Sequence, residues 1–257
     1  MITVLALVLA FSWVFCVGAE EADVVSTNHQ WALHGYAMTR LYDHYLSFRT
    51  GTPLTRTPVL WSEMEVNFPK GIYFQGFGSY GLSEAPEQKL GNQIDMVAGK
   101  RWTIGEFKLD SNVRFSDITP VGTWWNGDLV YLNLIFSRDF KIPNHPNHIL
   151  RPTIYSEWMT YVDRFDQGAM LEQVGFAHIW KSPLGIKPLS IVHCDYFSWC
   201  DQWVKTPPGF FFRSDVSFNW HVTKRLDIIC PGGRFVAGLD GTRGNDKSLM
   251  AGARFSF

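Results

Sequence analysis

The chain ends Ser248-Leu249-Met250-Ala251-Gly252-Ala253-Arg254-Phe255-Ser256-Phe257. Alternate residues of an extended strand point to opposite sides. Leu249, Ala251, Ala253, Phe255 and Phe257 therefore share one face, and Met250, Gly252, Arg254 and Ser256 share the other. The first face is apolar and the second mostly small or polar. The segment reads as a two-faced strand with an aromatic carboxyl terminus.

The pattern recurs upstream. In Phe107–Ser116, Phe107, Leu109, Ser111, Val113 and Phe115 oppose Lys108, Asp110, Asn112, Arg114 and Ser116. In Phe210–Thr223, Phe210, Phe212, Val216, Phe218, Trp220 and Val222 oppose Arg213, Asp215, Ser217, Asn219 and His221. Val59–Phe68, Gln93–Trp102, Ile149–Val162 and Leu189–Trp199 alternate in the same way. A soluble sandwich with one wet face gives this pattern. So does a transmembrane barrel with lipid outside and water inside.

The remaining segments favour the barrel by number and connection, and the sandwich stays open if Phe210, Phe212, Phe218 and Trp220 pack against a second sheet. Trp31–Leu46 reads as a strand or an amphipathic helix, and Asp128–Phe140, apolar on both faces, as a strand from its flanks. Ile72–Leu82, Ala169–Trp180 and Leu226–Leu239 complete the set, the last with a bulge or kink at Pro231-Gly232-Gly233. Pro152 counts against a well-ordered strand over Ile149–Val162. The total is about twelve strands of roughly ten residues, within a range of roughly ten to fourteen strands, and that length suits a tilted transmembrane strand. Compact turns, at Pro69-Lys70-Gly71, around Gly105, at Lys141–His148, at Lys181–Pro188 and at Lys224-Arg225, alternate with longer polar loops. Short turns on the periplasmic side and longer loops outside are what a single antiparallel transmembrane β-barrel predicts. An even strand number brings the last strand beside the first.

Composition agrees. Net charge is -1 with 18% charged residues, which leaves no basic stripe for nucleic acid. Aromatics make up 16%, including 11 Trp and 20 Phe, and a barrel places them as girdles at its two membrane interfaces. Residues 1–19 carry no charged side chain and end Val17-Gly18-Ala19 before Glu20, which reads as a cleaved secretory signal peptide, with an anchor helix as its rival. The expected organisation is a signal peptide over 1–19 and the barrel over 20–257. After removal of Cys16, Cys194, Cys200 and Cys230 remain. Cys194 and Cys200 on one strand stand roughly 20 Å apart, so isolated thiols are expected.

On this reading the polar faces line a lumen. The candidates are Glu63, Glu65, Asp95, Lys108, Asp110, Arg114, Arg151, Glu157, His193, Asp195, Arg213, Asp215, His221, Arg234 and Arg254. Charge is tolerated there only where water or a partner satisfies it. Two arrangements remain open: a salt-bridge network that plugs the barrel, or a transverse field in a water-filled pore. Catalysis has little support. No His-x-Ser spacing is present, and His193 with Asp195 is the nearest pair of one face. His145 and His148 sit in a Pro-rich turn without nearby Cys or carboxylate, a poor metal set. Gly241 and Gly244 form no phosphate loop. No cofactor is expected.

One section is more specific. Gly71-Ile72-Tyr73, Gln93-Ile94-Asp95-Met96 and Gly105-Glu106-Phe107 follow one another in an order that resembles the TorF-type porins, small outer-membrane barrels of Gram-negative bacteria. The resemblance covers about a fifth of the chain and implies an outer-membrane location and a pore. The expected partners are outer-membrane lipid, the barrel-assembly machinery through the Phe257 strand, and small polar solutes passing passively.

Overall fold

A computed structural model describes residues 34–46, 55–82, 92–117, 128–162, 168–201, 208–240 and 244–257. Residues 1–19, expected to be a signal peptide, lie outside them. The described residues form one antiparallel sheet of thirteen strands. They are β1 (His34–Tyr42), β2 (Val59–Asn67), β3 (Ile72–Gly81), β4 (Gln93–Ile104), β5 (Phe107–Asp117), β6 (Leu129–Arg138), β7 (Phe140–Ile142), β8 (His145–Tyr161), β9 (Gly168–Lys181), β10 (Leu189–Cys200), β11 (Gly209–His221), β12 (Leu226–Gly238) and β13 (Asp246–Ser256).

The sheet closes on itself. β1 pairs with β2 on one side and β13 on the other, and β6 pairs directly with β8. Twelve strands are staves, and the short β7 is an extra strand against the start of β8. Closure leaves no free edge along the staves. The sandwich alternative is thereby overturned, because the described residues form a single closed sheet. Phe210 and Trp220 are exposed on the outside.

The segment Trp31–Leu46, open between helix and strand, contributes β1. Lys141–His148 differs from expectation. Only Pro143-Asn144 forms the turn, and strand pairing resumes at His145, so β7 and β8 make a longer hairpin. Asn144 takes φ 63° there, a left-handed conformation Asn tolerates. Pro152 is accommodated inside β8. It lies where the ladder passes from β6, ending at Ser137↔Thr153, to β7, beginning at Phe140↔Leu150. The β12 irregularity falls between Ile229 and Gly232, with Cys230-Pro231 bulged out of register. Cys194, Cys200 and Cys230 are free thiols.

Register separates two faces all the way round. The inner one carries Tyr42, Trp61, Tyr73, Phe77, Tyr131 and Phe211, all buried, while Phe74, Val113, Leu132, Ile154, Val174 and Leu249 on the outer one are exposed. The compact turns stand at the end of the barrel that also holds His34 and Phe257. We call this the turn end, and the opposite one the loop end.

Candidate functional site

The interior of the barrel is the candidate site, because the charges of the strands converge there. Register puts Glu63 and Glu65 of β2, Asp95 of β4, Lys108, Asp110 and Arg114 of β5, Arg151 and Glu157 of β8, Arg213, Asp215 and His221 of β11, Arg234 of β12 and Arg254 of β13 on the inner face. His193 and Asp195 are corrected. Register pairs His193 with His178 and Val216, and Asp195 with Phe176 and Ser214, all on the outer face. The inner positions of β10 are instead Val192, Cys194 and Tyr196. The alternation of β10 was read properly, but its polar side was assigned inward, and only the neighbouring strands fix which side that is.

Inside, the charges fall into linked groups. Arg114 donates from Nη2 to Asp95 Oδ2 at 2.5 Å, Gln93 donates to the same oxygen at 2.7 Å, and the guanidinium lies over Phe77 and Tyr131. Glu63 receives the Tyr36 hydroxyl and the Gln75 amide. Glu157 lies 2.6 Å from the Tyr155 hydroxyl, in a chain that continues through Asn133 to Asn112. Across the barrel, Asp215 accepts from Arg234 Nε at 2.6 Å and lies 3.3 Å from Arg213 Nε. Such charge-assisted bonds suit a confined, partly dry interior.

Towards the turn end the groups are more open. Arg101 grips Glu65 with two parallel bonds of 2.8 Å, donates from Nε to Asp110 at 3.1 Å, and lies over the Tyr73 ring. Lys108 and Arg151 share Asp139. His221 pairs with Asp227. Arg101, Tyr73 and Asp139 were missed by sequence reasoning. For Arg101 the signal is present in the chain: it continues the face of Asp95, Val97 and Gly99 within Gln93–Trp102.

Towards the loop end apolar side chains pack between the buried polar ones. Leu46, Leu129, Tyr131, Met159, Leu171, Phe211 and Val236 pack into one buried cluster, and Tyr42, Tyr45, Val59, Trp61, Phe77 and Val97 into a second with Tyr73. Tyr45 and Leu46 follow β1 and turn inward, one into each cluster. Polar ties hold them. Arg234 Nη1 donates to the Leu46 carbonyl at 3.1 Å, and Ser248 Oγ donates to the His44 carbonyl at 2.8 Å. Thr55 N donates to the Tyr45 carbonyl. The interior is thus more open at the turn end and filled towards the loop end, where aromatic and aliphatic side chains pack beside buried charges.

A closed antiparallel barrel with an apolar outside and a charged inside has solved counterparts. The fold is that of the outer-membrane β-barrels. The beta domain of the Bordetella autotransporter BrkA matches with TM-score 0.55 at 14% identity, over 88% of this chain and 100% of that chain. The COG4313 outer membrane channel from Pseudomonas putida F1 matches with TM-score 0.54 at 10% identity, over 93% and 100%. The NanC porin matches with TM-score 0.53 at 8% identity, over 88% and 100%. At these identities the likeness is one of fold. No protein-family model matches the chain, and no curated protein matches it by sequence.

No group of three or more His, Cys, Asp or Glu among the described residues is arranged to hold a metal ion. His145 and His148 stack edge to face, and His148 also stacks on His178 and Trp180, all outside the barrel wall. The His193–Asp195 pair, at 3.1 Å, is on the outer face as well and opens into no lumen site.

Proposed function

We propose that the chain is a channel of the outer membrane that passes small polar solutes passively through the barrel interior. One observation carries the reading: charges of both signs line the interior in pairs over much of its circumference. Glu63, Glu65, Asp95 and Asp110 stand beside Arg101, Lys108 and Arg114 on β2, β4 and β5, and Arg213, Arg234, Arg254 and Arg40 stand with Asp215 and Asp227 on β11, β12, β13 and β1. A lining of this kind accommodates polar solutes and disfavours apolar ones. The apolar outer belt suits a lipid surround, and a secreted, lipid-embedded barrel accords with the TorF-type resemblance. On this reading Tyr45 and Leu46 form the constriction, and the aromatic carboxyl terminus is the segment the assembly machinery reads.

A second reading is favoured by the loop-end clusters. If Leu46, Tyr131 and Phe211 stay packed, the barrel is plugged, and its role is structural or exercised through its outer loops. Planar-bilayer recording of the refolded chain separates the two. Discrete openings that become more frequent when Leu46→Gly loosens the constriction support the channel. Silence from both proteins supports the plug.

A further inference from the structure

The outer wall of the barrel is mostly apolar, and its acidic side chains are confined to one side. Away from strand ends, its acidic side chains among the described residues are Glu172 on β9 and Asp195 on β10, neighbouring strands. Asp195 is the seventh of the twelve residues of β10, at mid-height of the wall. Phe176 flanks it on β9, and Phe197, 59% exposed, follows it on the same face. Val174, 56% exposed, pairs with Phe197.

Three polar groups stand on this side of the wall, on β8 to β11. His193 Nε2 lies 3.1 Å from Asp195 Oδ1 and 3.1 Å from Ser214 Oγ on β11. Ser156 Oγ on β8 donates to Glu172 at 2.6 Å. His148 Nδ1 lies 2.9 Å from His178 Nε2. Lipid supplies no hydrogen-bond partner, so polar side chains at mid-height facing hydrocarbon are costly. Lys100, outward on the turn-end half of β4, lies over Trp102 within reach of the interface.

We propose that this stripe over β8–β11 is where a second copy of the chain docks within the membrane. The inference rests on the outer-membrane reading. Two copies inserted in the same sense meet about an axis parallel to the barrel, and a two-fold contact brings one patch against itself. A patch that serves this must hold both donors and acceptors. Here His193, His178, Ser156 and Ser214 supply the first, and Asp195 and Glu172 the second. The flanking Val174, Phe176 and Phe197 supply a packed margin. Apolar surface alone gives little drive between copies in lipid, so the polar stripe carries the association.

The test uses the full chain, refolded in detergent and also inserted in native outer membranes. Sedimentation equilibrium is expected to show a dimer, and the double variant His193→Leu/Asp195→Leu to weaken association by at least about tenfold. Retained heat-modifiable migration establishes that the variant is folded. In a Cys230→Ser background, Phe197→Cys is expected to cross-link between copies in membranes, and Phe74→Cys, six staves away on β3, is not. A membrane-embedded wild type that stays monomeric, or a dimer indifferent to the double variant, overturns the proposal and leaves the channel reading intact. A chain that needs neither detergent nor lipid overturns both.

Discussion

Gly35 and Phe257 exchange both backbone hydrogen bonds, at 3.0 and 3.1 Å, and so join the first and last strands into one wall. The Phe257 ring lies against the Gly35 backbone, and a Cβ there would meet ring carbons at 2.7 and 2.9 Å and the Glu65 carbonyl at 2.1 Å. Closure therefore depends on glycine at one end and on the last residue at the other. Gly35→Val, or removal of Phe257, is expected to lower the yield of folded barrel on the order of tenfold, since a lost seam of this kind amounts to about 1.4 kcal/mol or more. The folded fraction is read from heat-modifiable migration after refolding.

The Asp95–Arg114 pair is buried, with side chains 0% and 6% exposed. Removing one partner of such a pair strands the other charge and costs about 3–5 kcal/mol. Arg114→Leu is expected to lower the urea midpoint in detergent more than the double variant Asp95→Leu/Arg114→Leu does. Equal effects would assign the loss to packing over Phe77 and Tyr131 instead.

Asp139 stands between β6 and β7 at the turn end. Bonds from Arg151 first, and then Lys108, hold its carboxyl at about 2, below its ordinary value. A depressed carboxylate stabilises the fold above its ordinary value of 3.8 and loses that contribution as pH falls towards about 2. The β6–β8 hairpin is expected to loosen across that window, read as faster protease cleavage at Pro143-Asn144 after brief acid exposure. Asp139→Asn is expected to be looser at pH 7 and insensitive over the same window.

Tyr73 lies over Gly99 of the neighbouring strand, where a Cβ would meet its ring at 2.5 Å. The hydroxyl then reaches Asp110 at 2.7 Å. Gly99→Ala is expected to push the ring off, unsettle the Arg101–Asp110 contact, and change single-channel conductance with little loss of folded protein. An unchanged conductance would place Arg101 outside the solute path.

Arg234 ties the Leu46 carbonyl to the barrel wall while it holds Asp215. Arg234→Gln is expected to free the constriction and raise open probability several-fold in planar bilayers. Leu46→Gly is expected to act in the same direction without altering the Arg213–Asp215 contact.

Much of the fold was legible in the chain because a strand repeats every two residues. That period fixed twelve staves, the bulge beside Pro231, and the inward side of β2, β4, β5, β8, β11 and β13, where charge alternates with large apolar residues. It failed on β10. There Val192, Cys194 and Tyr196 alternate with His193 and Asp195, and the polar set faces outward. Period two gives two faces without saying which is inside, and that is decided by hydrogen-bond register with β9 and β11. The inward fold of Tyr45 and Leu46 was equally invisible, because a segment outside the strands has no period to read. The alternation of side chains determined the barrel wall. Only closure of the sheet, which brings residues from β1 and β12 within reach of each other, decided what fills it and which polar groups are left facing out.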